Sequence, residues 1–248
     1  SGVTPALGAL AAVTDSIDLS GFADADGLPE MSGLAYVGGR LFVAVQRIDR
    51  DLYWTPVPPS YLVVVDPATN DLVDVDPGTP GTQAIELAAT NPYGEILVDE
   101  ATGHLLVTES GSWGVLDGGV EVIDPATFQS LGFATTEAFL GGDLNDITRD
   151  VDGRAHAVIS VTSPGWEAFV VAWDMASGAL IEEVHRPGGW NVADIEVHHG
   201  SAQLFVSDRT YTDPGVRVFD AATGEESASG PVFVGLPPHD LVLLGSDV

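Results

Sequence analysis

The apolar residues of this chain fall in short runs bounded by glycine, proline and aspartate, the signature of buried strands joined by tight turns. Four runs end on a polar residue or pair: Leu41-Phe-Val-Ala-Val-Gln46, Leu105-Leu-Val-Thr-Glu-Ser110, Ala157-Val-Ile-Ser160 and Leu204-Phe-Val-Ser-Asp208. After a loop of variable length, each is followed by a run that enters a turn. These are Leu62-Val-Val-Val-Asp-Pro-Ala-Thr-Asn70, Val120-Glu-Val-Ile-Asp-Pro-Ala-Thr-Phe128, Val170-Val-Ala-Trp-Asp-Met-Ala-Ser-Gly178 and Val216-Arg-Val-Phe-Asp-Ala-Ala-Thr-Gly224. An opening run precedes each pair, beginning at Ser32, Gly94, Asn145 and Ala193, and a fifth begins at His239. No window combines a helical apolar period, an N-cap and sufficient length, so strands are predicted throughout.

The starts at 32, 94, 145, 193 and 239 are spaced by 62, 51, 48 and 46 residues. A repeat of that length, with up to four strands in each unit, predicts blades. The expected fold is all-β: a β-propeller of about five four-stranded blades, with residues 1–248 as one domain. The fifth unit has only its opening strand before the sequence ends, so residues 7–13 and 16–20 are expected to complete the last blade. Closing the ring in this way removes exposed sheet edges. The recurring Asp-Pro-Ala-Thr phrases read as type I turns, with aspartate capping locally and asparagine or glycine ready for a left-handed position, rather than as sites.

Charge narrows the range of partners. The chain carries 37 acidic and 8 basic residues for a net charge of −29, and every base is arginine. Such a surface repels polyphosphate and anionic membranes, which excludes nucleic acid as a partner. Its simplest role is solubility. There is no cysteine, so there are neither disulfides nor thiolate metal sites. No apolar stretch approaches the roughly 20 residues that span a bilayer, so no membrane insertion is expected. The opening Ser1-Gly2-Val3-Thr4-Pro5 has neither methionine nor a basic segment; any targeting segment lies outside this sequence. A monomer is expected.

The second positions of the aligned opening strands are Gly33, Glu95, Asp146, Asp194 and Asp240. In a propeller the opening strand is innermost, so these carboxylates are expected to meet near the axis, with Glu30, Asn91, Asn145, Asn191 and His239 nearby. Crowded like charges raise one another's pKa unless a cation, an arginine or water offsets them. Calcium is the natural cation, with Glu95, Asp146, Asp194, Asp240, Glu30 and Asn145 as candidate ligands. Two alternatives stand beside it: the carboxylates accept backbone N–H groups of the next blade and lock the ring, or they serve catalysis. His198 and His199 sit on a turn at the far end of their blade.

Loops on the carboxylate face are the place for a ligand. The longest covers residues 47–60. Its Tyr53 and Trp54, with Trp113, Trp166, Trp190 and Tyr211 in comparable loops, either line a groove for a sugar or peptide or pack between blades. Arg47 and Arg209 follow equivalent strands, placed to bind a carboxylate or to pair with the acidic ring, and His239 lies beside it. Neither a phosphate cradle, nor a nucleophile elbow, nor a zinc-binding helix motif is present.

The phrase Leu-Leu-Val-Thr-Glu-Ser followed by Val-Glu-Val-Ile-Asp-Pro-Ala-Thr resembles the YVTN-type repeat of surface-layer propellers, with relatives among NHL-like propellers. That resemblance covers nearly the whole chain. It implies an extracellular, periplasmic or cell-surface protein that binds or scaffolds a protein or carbohydrate without chemistry. A second resemblance is to gluconolactonase-like and paraoxonase-like propellers. It rests on Leu28-Pro-Glu-Met31, Asn145 and Asp194, and implies a calcium-dependent hydrolase or lactonase acting at the channel. Those enzymes usually have six blades and longer chains.

Overall fold

The structure, a computed structural model, describes residues 15–150, 153–227 and 229–243. The expected closing strand over residues 7–13 lies outside the described residues.

In the first sheet, β1 (Met31–Val37) and β2 (Arg40–Val45) form a hairpin, and a ribbon of β3 (Ile48–Asp49) and β4 (Thr55–Pro56) projects from the loop that follows. The chain returns as β5 (Tyr61–Asp66) beside β2, and β6 (Asp71–Leu72) and β7 (Ile85–Glu86) flank it. The second sheet is β8 (Ile96–Val98), β9 (Leu105–Glu109), β10 (Gly119–Asp124) and β11 (Gln129–Thr136), in chain order. A single helical turn, α1 (Glu137–Leu140), leads to the third sheet. That sheet is β12 (Asp143–Arg149), β13 (Arg154–Val161), β14 (Glu167–Asp174) and β15 (Leu180–His185). The fourth has β16 (Val192–His198), β17 (Gln203–Asp208) and β18 (Gly215–Asp220), extended by single bridges from Val216 to Val232 and from Phe219 to Glu226. All neighbouring strands are antiparallel.

The middle strands are continuous apolar runs because both faces are covered. Phe42, Ala44, Leu62 and Val64 pack toward Leu105, Val107 and Ile123 of the second sheet. Val43, Val45, Val63 and Val65, one position out of phase, point the other way, where Leu19 and Phe22 cover them. Alternate side chains point to opposite faces of a strand, so a uniformly apolar strand serves two cores. Successive sheets meet at or next to their inner strands: β1 lies on β8, β12 on β16, and β12 against β9, the second strand of its neighbour.

The four Asp-led turns share one construction. The carbonyls of Asp66, Asp124, Asp174 and Asp220 accept the N–H four residues on, each at 2.8 Å. Their Oδ1 atoms accept a second N–H within the turn. The receiving residues Asn70, Phe128, Gly178 and Gly224 all have φ between 60° and 71°, the left-handed region that closes such a turn.

The linkers between sheets are held by buried carboxyl groups. Glu121 and Glu109 accept the N–H groups of Ala88 (3.0 Å) and Ala89 (2.6 Å), and Glu137 accepts those of Gly118 and Leu144 at 2.8 Å each.

Two expectations meet a different outcome. Residues 16–20 form no strand; Ser20–Phe22 is a 3-10 turn, and Ile17, Leu19 and Phe22 cap the outer face of the first sheet with side chains instead of adding a ladder. Residues 239–243 run without assigned secondary structure, although Leu241 is docked as described below. Among the described residues no helix is long and apolar enough to cross a membrane.

Candidate functional site

The opening strands share an irregularity. Pairing shifts register between Met31 and Leu34 in β1, between Leu144 and Asp146 in β12, and between Val192 and Ile195 in β16. A bulge at this point interrupts the alternation and re-aims the bulged side chains. In β16 the released N–H groups of Ala193 and Asp194 both bond Ser207 Oγ, at 3.2 and 2.8 Å. The bulges coincide with the aligned positions Gly33, Asp146 and Asp194. The backbones approach closely here, since a Cβ on Gly94, whose φ is 86°, would stand 2.4 Å from the Asn145 carbonyl.

Glu95, Asp146, Asp194 and Asp240 come together around one cavity of about 410 Å³, with Asn145 in its wall and Tyr93 and His239 at its edge. Asp146 is buried, and its Oδ2 accepts the Ile195 N–H of the next sheet at 3.1 Å. Asp194 repeats the arrangement one unit later, its Oδ2 accepting the Leu241 N–H. Both carboxylates therefore act as braces between units.

The electrostatics are those of crowded carboxyl groups, two of which, Asp146 and Asp194, are joined by a hydrogen bond. Burial, then the adjacent Asp194 carboxyl, pushes Asp146 well above the usual carboxylate range. Burial raises Asp194 as well, although the Asp146 carboxyl and the Leu241 N–H oppose the shift. Glu95 keeps contact with water at the cavity mouth, yet burial, Asp194 and Asp240 still push it up. Glu196, two residues beyond Asp194 and deeper along the same strand, is pushed up to about 7 by burial, Glu95 and Asp194. It lines a smaller cavity with Arg149 and His199 at the other end of the inner strands, where the His198–His199 turn sits.

Calcium coordination requires several oxygen ligands converging on one point. Among the described residues no three His, Asp or Glu side chains stand in such an arrangement. Glu30 lies apart from the cavity, because its carboxylate accepts the Ile48 N–H at 3.0 Å and pairs with Arg50 at 3.1 Å. Asn145 faces its own strand, donating from Nδ2 to the Asp143 carbonyl at 3.1 Å.

The aromatic candidates divide into two groups. Trp113 and Trp190 meet edge to face with centroids 6.1 Å apart, Trp166 lies 5.7 Å beyond Trp190, and Tyr93 lies 5.4 Å on the near side of Trp113. These four rings, from four different loops, form one row running out from the rim of the acidic cavity. Tyr93, Trp166 and Trp190 are exposed and Trp113 half-buried. Tyr53, Trp54 and Tyr211 are also exposed, but among the described residues no ring contact joins them to the row. Trp54 stacks under Arg50 at 5.5 Å on the β3–β4 ribbon. Arg47 folds inward, donating to the Pro59 carbonyl at 2.7 Å over the Tyr61 ring, so it faces neither the cavity nor the row. Arg209 is half-buried, its N–H bonded to the Asn191 carbonyl at 2.7 Å. His239 is exposed and bonds Asp240 at 2.8 Å.

Tyr93 and Glu196 were not singled out from sequence. Glu196 had a signal, since it lies at i+2 from Asp194 on one strand and so shares its face.

No protein-family model matches the sequence. No curated protein matches it. Among solved structures the chain is similar to Kuenenia stuttgartiensis hydrazine synthase, with a TM-score of 0.50 and 14% identity over 78% of this chain and 63% of that one. The fold is a four-bladed β-propeller. At that identity the likeness is one of fold alone, and this propeller spans less than two thirds of the neighbour's length. The YVTN-type and NHL-like resemblance finds no support beyond the propeller itself.

Proposed function

We propose that this propeller is a non-catalytic binding module, working outside the cytoplasm or at the cell surface, whose loop face takes a protein or carbohydrate ligand. The observation that carries the reading is the aromatic row Tyr93, Trp113, Trp190 and Trp166. Exposed apolar area gathered on one face marks an interaction surface, and rigid rings supply stacking at low entropic cost. Val115 and Leu116, exposed in the same loop as Trp113, extend it.

The test is a glycan and peptide array probed with the wild-type protein and with Trp190→Ala. Trp190 touches both Trp113 and Trp166, so its removal divides the row. Binding is expected to fall at least tenfold, with less than about 1.5 kcal/mol lost from stability. Wild-type binding that Trp190→Ala leaves unchanged, or turnover of lactone or ester substrates, would displace the reading.

We also read the ring as five-bladed, with segments near the N-terminus completing the last blade. The Asp146–Ile195 brace recurs as Asp194–Leu241, which supports residues 239–241 as the inner position of a fifth blade. Leu34 and Tyr36, 62% and 65% exposed on β1, offer that blade an apolar face.

A further inference from the structure

The axial cavity gathers four carboxyl groups, and no arginine lines it. Of the 8 arginines, six pair with carboxylates outside the cavity and a seventh, Arg47, donates to Pro59. Neither Arg209 nor any other arginine lines it. Asp146 is only 5% exposed, no N–H donor reaches its Oδ1 among the described residues, and the side chain it shares a hydrogen bond with, Asp194, is itself a carboxylic group. A buried acceptor without a donor costs about 1–3 kcal/mol, so this face of the pair is completed either by a shared proton or by an N–H group from outside.

The surroundings favour the N–H group. At about 410 Å³ the cavity falls within the size range of small-ligand sites. A guanidinium is planar, stays charged and bonds two carboxylates at once without the convergent donor set a metal ion needs. Tyr93, on the rim, begins the aromatic row, so a side chain entering the cavity leaves its neighbours on the rings. A neutral sugar would leave the carboxylates uncompensated. The net charge of −29 also draws basic partners from a distance.

We propose that the axial cavity binds the guanidinium of an arginine presented by a basic peptide, whose flanking residues lie along the aromatic row. This rests on reading the loop face as the binding surface.

The experiment is calorimetric titration of the full chain with four probes. They are a capped peptide with a central arginine flanked by leucine and glycine, its citrulline counterpart, calcium chloride alone, and a neutral cello-oligosaccharide. The arginine peptide is expected to bind at least about tenfold more tightly than the citrulline peptide, because only the former carries the charge. That difference should shrink in high salt and in Asp194→Asn. It should shrink also in Asp240→Asn, whose exposed side chain makes it a variant safe for folding. Trp190→Ala is expected to weaken both peptides alike. Equal affinity for the two peptides overturns the cation assignment, as does calcium that binds and displaces the arginine peptide. Trp190-dependent binding of the oligosaccharide without the arginine peptide overturns the inference and leaves the loop-face reading standing. No binding by any probe up to about 5 mM overturns the inference and counts against the loop-face reading as well.

Discussion

Glu137 is fully buried and accepts two backbone N–H groups, from Gly118 and Leu144, tying the end of the second blade to the start of the third. Burial pushes its carboxyl up to about 8 even though both N–H bonds oppose the shift. Glu137→Gln offers one oxygen acceptor to two donors and turns an amide N–H toward the other. A loss of about 1–3 kcal/mol in urea unfolding is expected. The raised carboxyls also set a pH dependence. Glu196, Glu137 and Glu109 rise from 4.5 to about 7, 8 and 10, in each case chiefly through burial, so they hold more protons folded than unfolded. Their contribution is complete below their unfolded pKa and lost as pH climbs through the folded values. Asp208 runs the opposite way: burial would raise it, but His185 and Arg217 hold it well below the usual range, so its contribution persists until strong acid. The melting temperature is therefore expected to fall between about pH 5 and pH 8, and a flat or rising calorimetric profile would contradict this assignment.

At the scale of the element, the opening strand is where the blades come closest. Gly94→Ala would place a methyl group 2.4 Å from the Asn145 carbonyl at a φ of 86°, and a loss of more than about 2 kcal/mol is expected in chemical denaturation. The strands themselves were legible in the sequence, because a run such as Leu62-Val-Val-Val65 has no other stable use between two turns. The four carboxylates were legible too, since one repeated position collects them. The bulges were not, because the acceptor for the released N–H groups in β16 is Ser207, a side chain on the neighbouring strand that no local pattern announces. Equally illegible was the diversion of Glu30, which depends on where Arg50 lands after a loop without repeat counterparts.

For the whole molecule, repeat counting yields five starts where four blade sheets form among the described residues, because a start signals an inner strand without guaranteeing partners for it. Leu34→Ser separates the alternatives. A covered face makes it cost about 1–3 kcal/mol, whereas the 62% exposure of Leu34, taken by itself, makes it nearly neutral. Charge acts on the same scale. At −29 the folded chain repels itself, and raising salt from about 0.01 to 1 M shortens the screening length from about 30 to 3 Å. The melting temperature is expected to rise across that range, as scanning calorimetry would register.

The braces point in one direction. Asp146 on β12 receives an N–H from β16, and Asp194 on β16 receives one from residue 241, so each acceptor is synthesised before its donor. A chain leaving the ribosome thus meets a finished dock for β16 and then for the segment at Leu241, and these parts assemble in the order of translation. Nascent chains stalled after the third blade are accordingly expected to resist protease already, with the open edge near Asp146 waiting for the next strand.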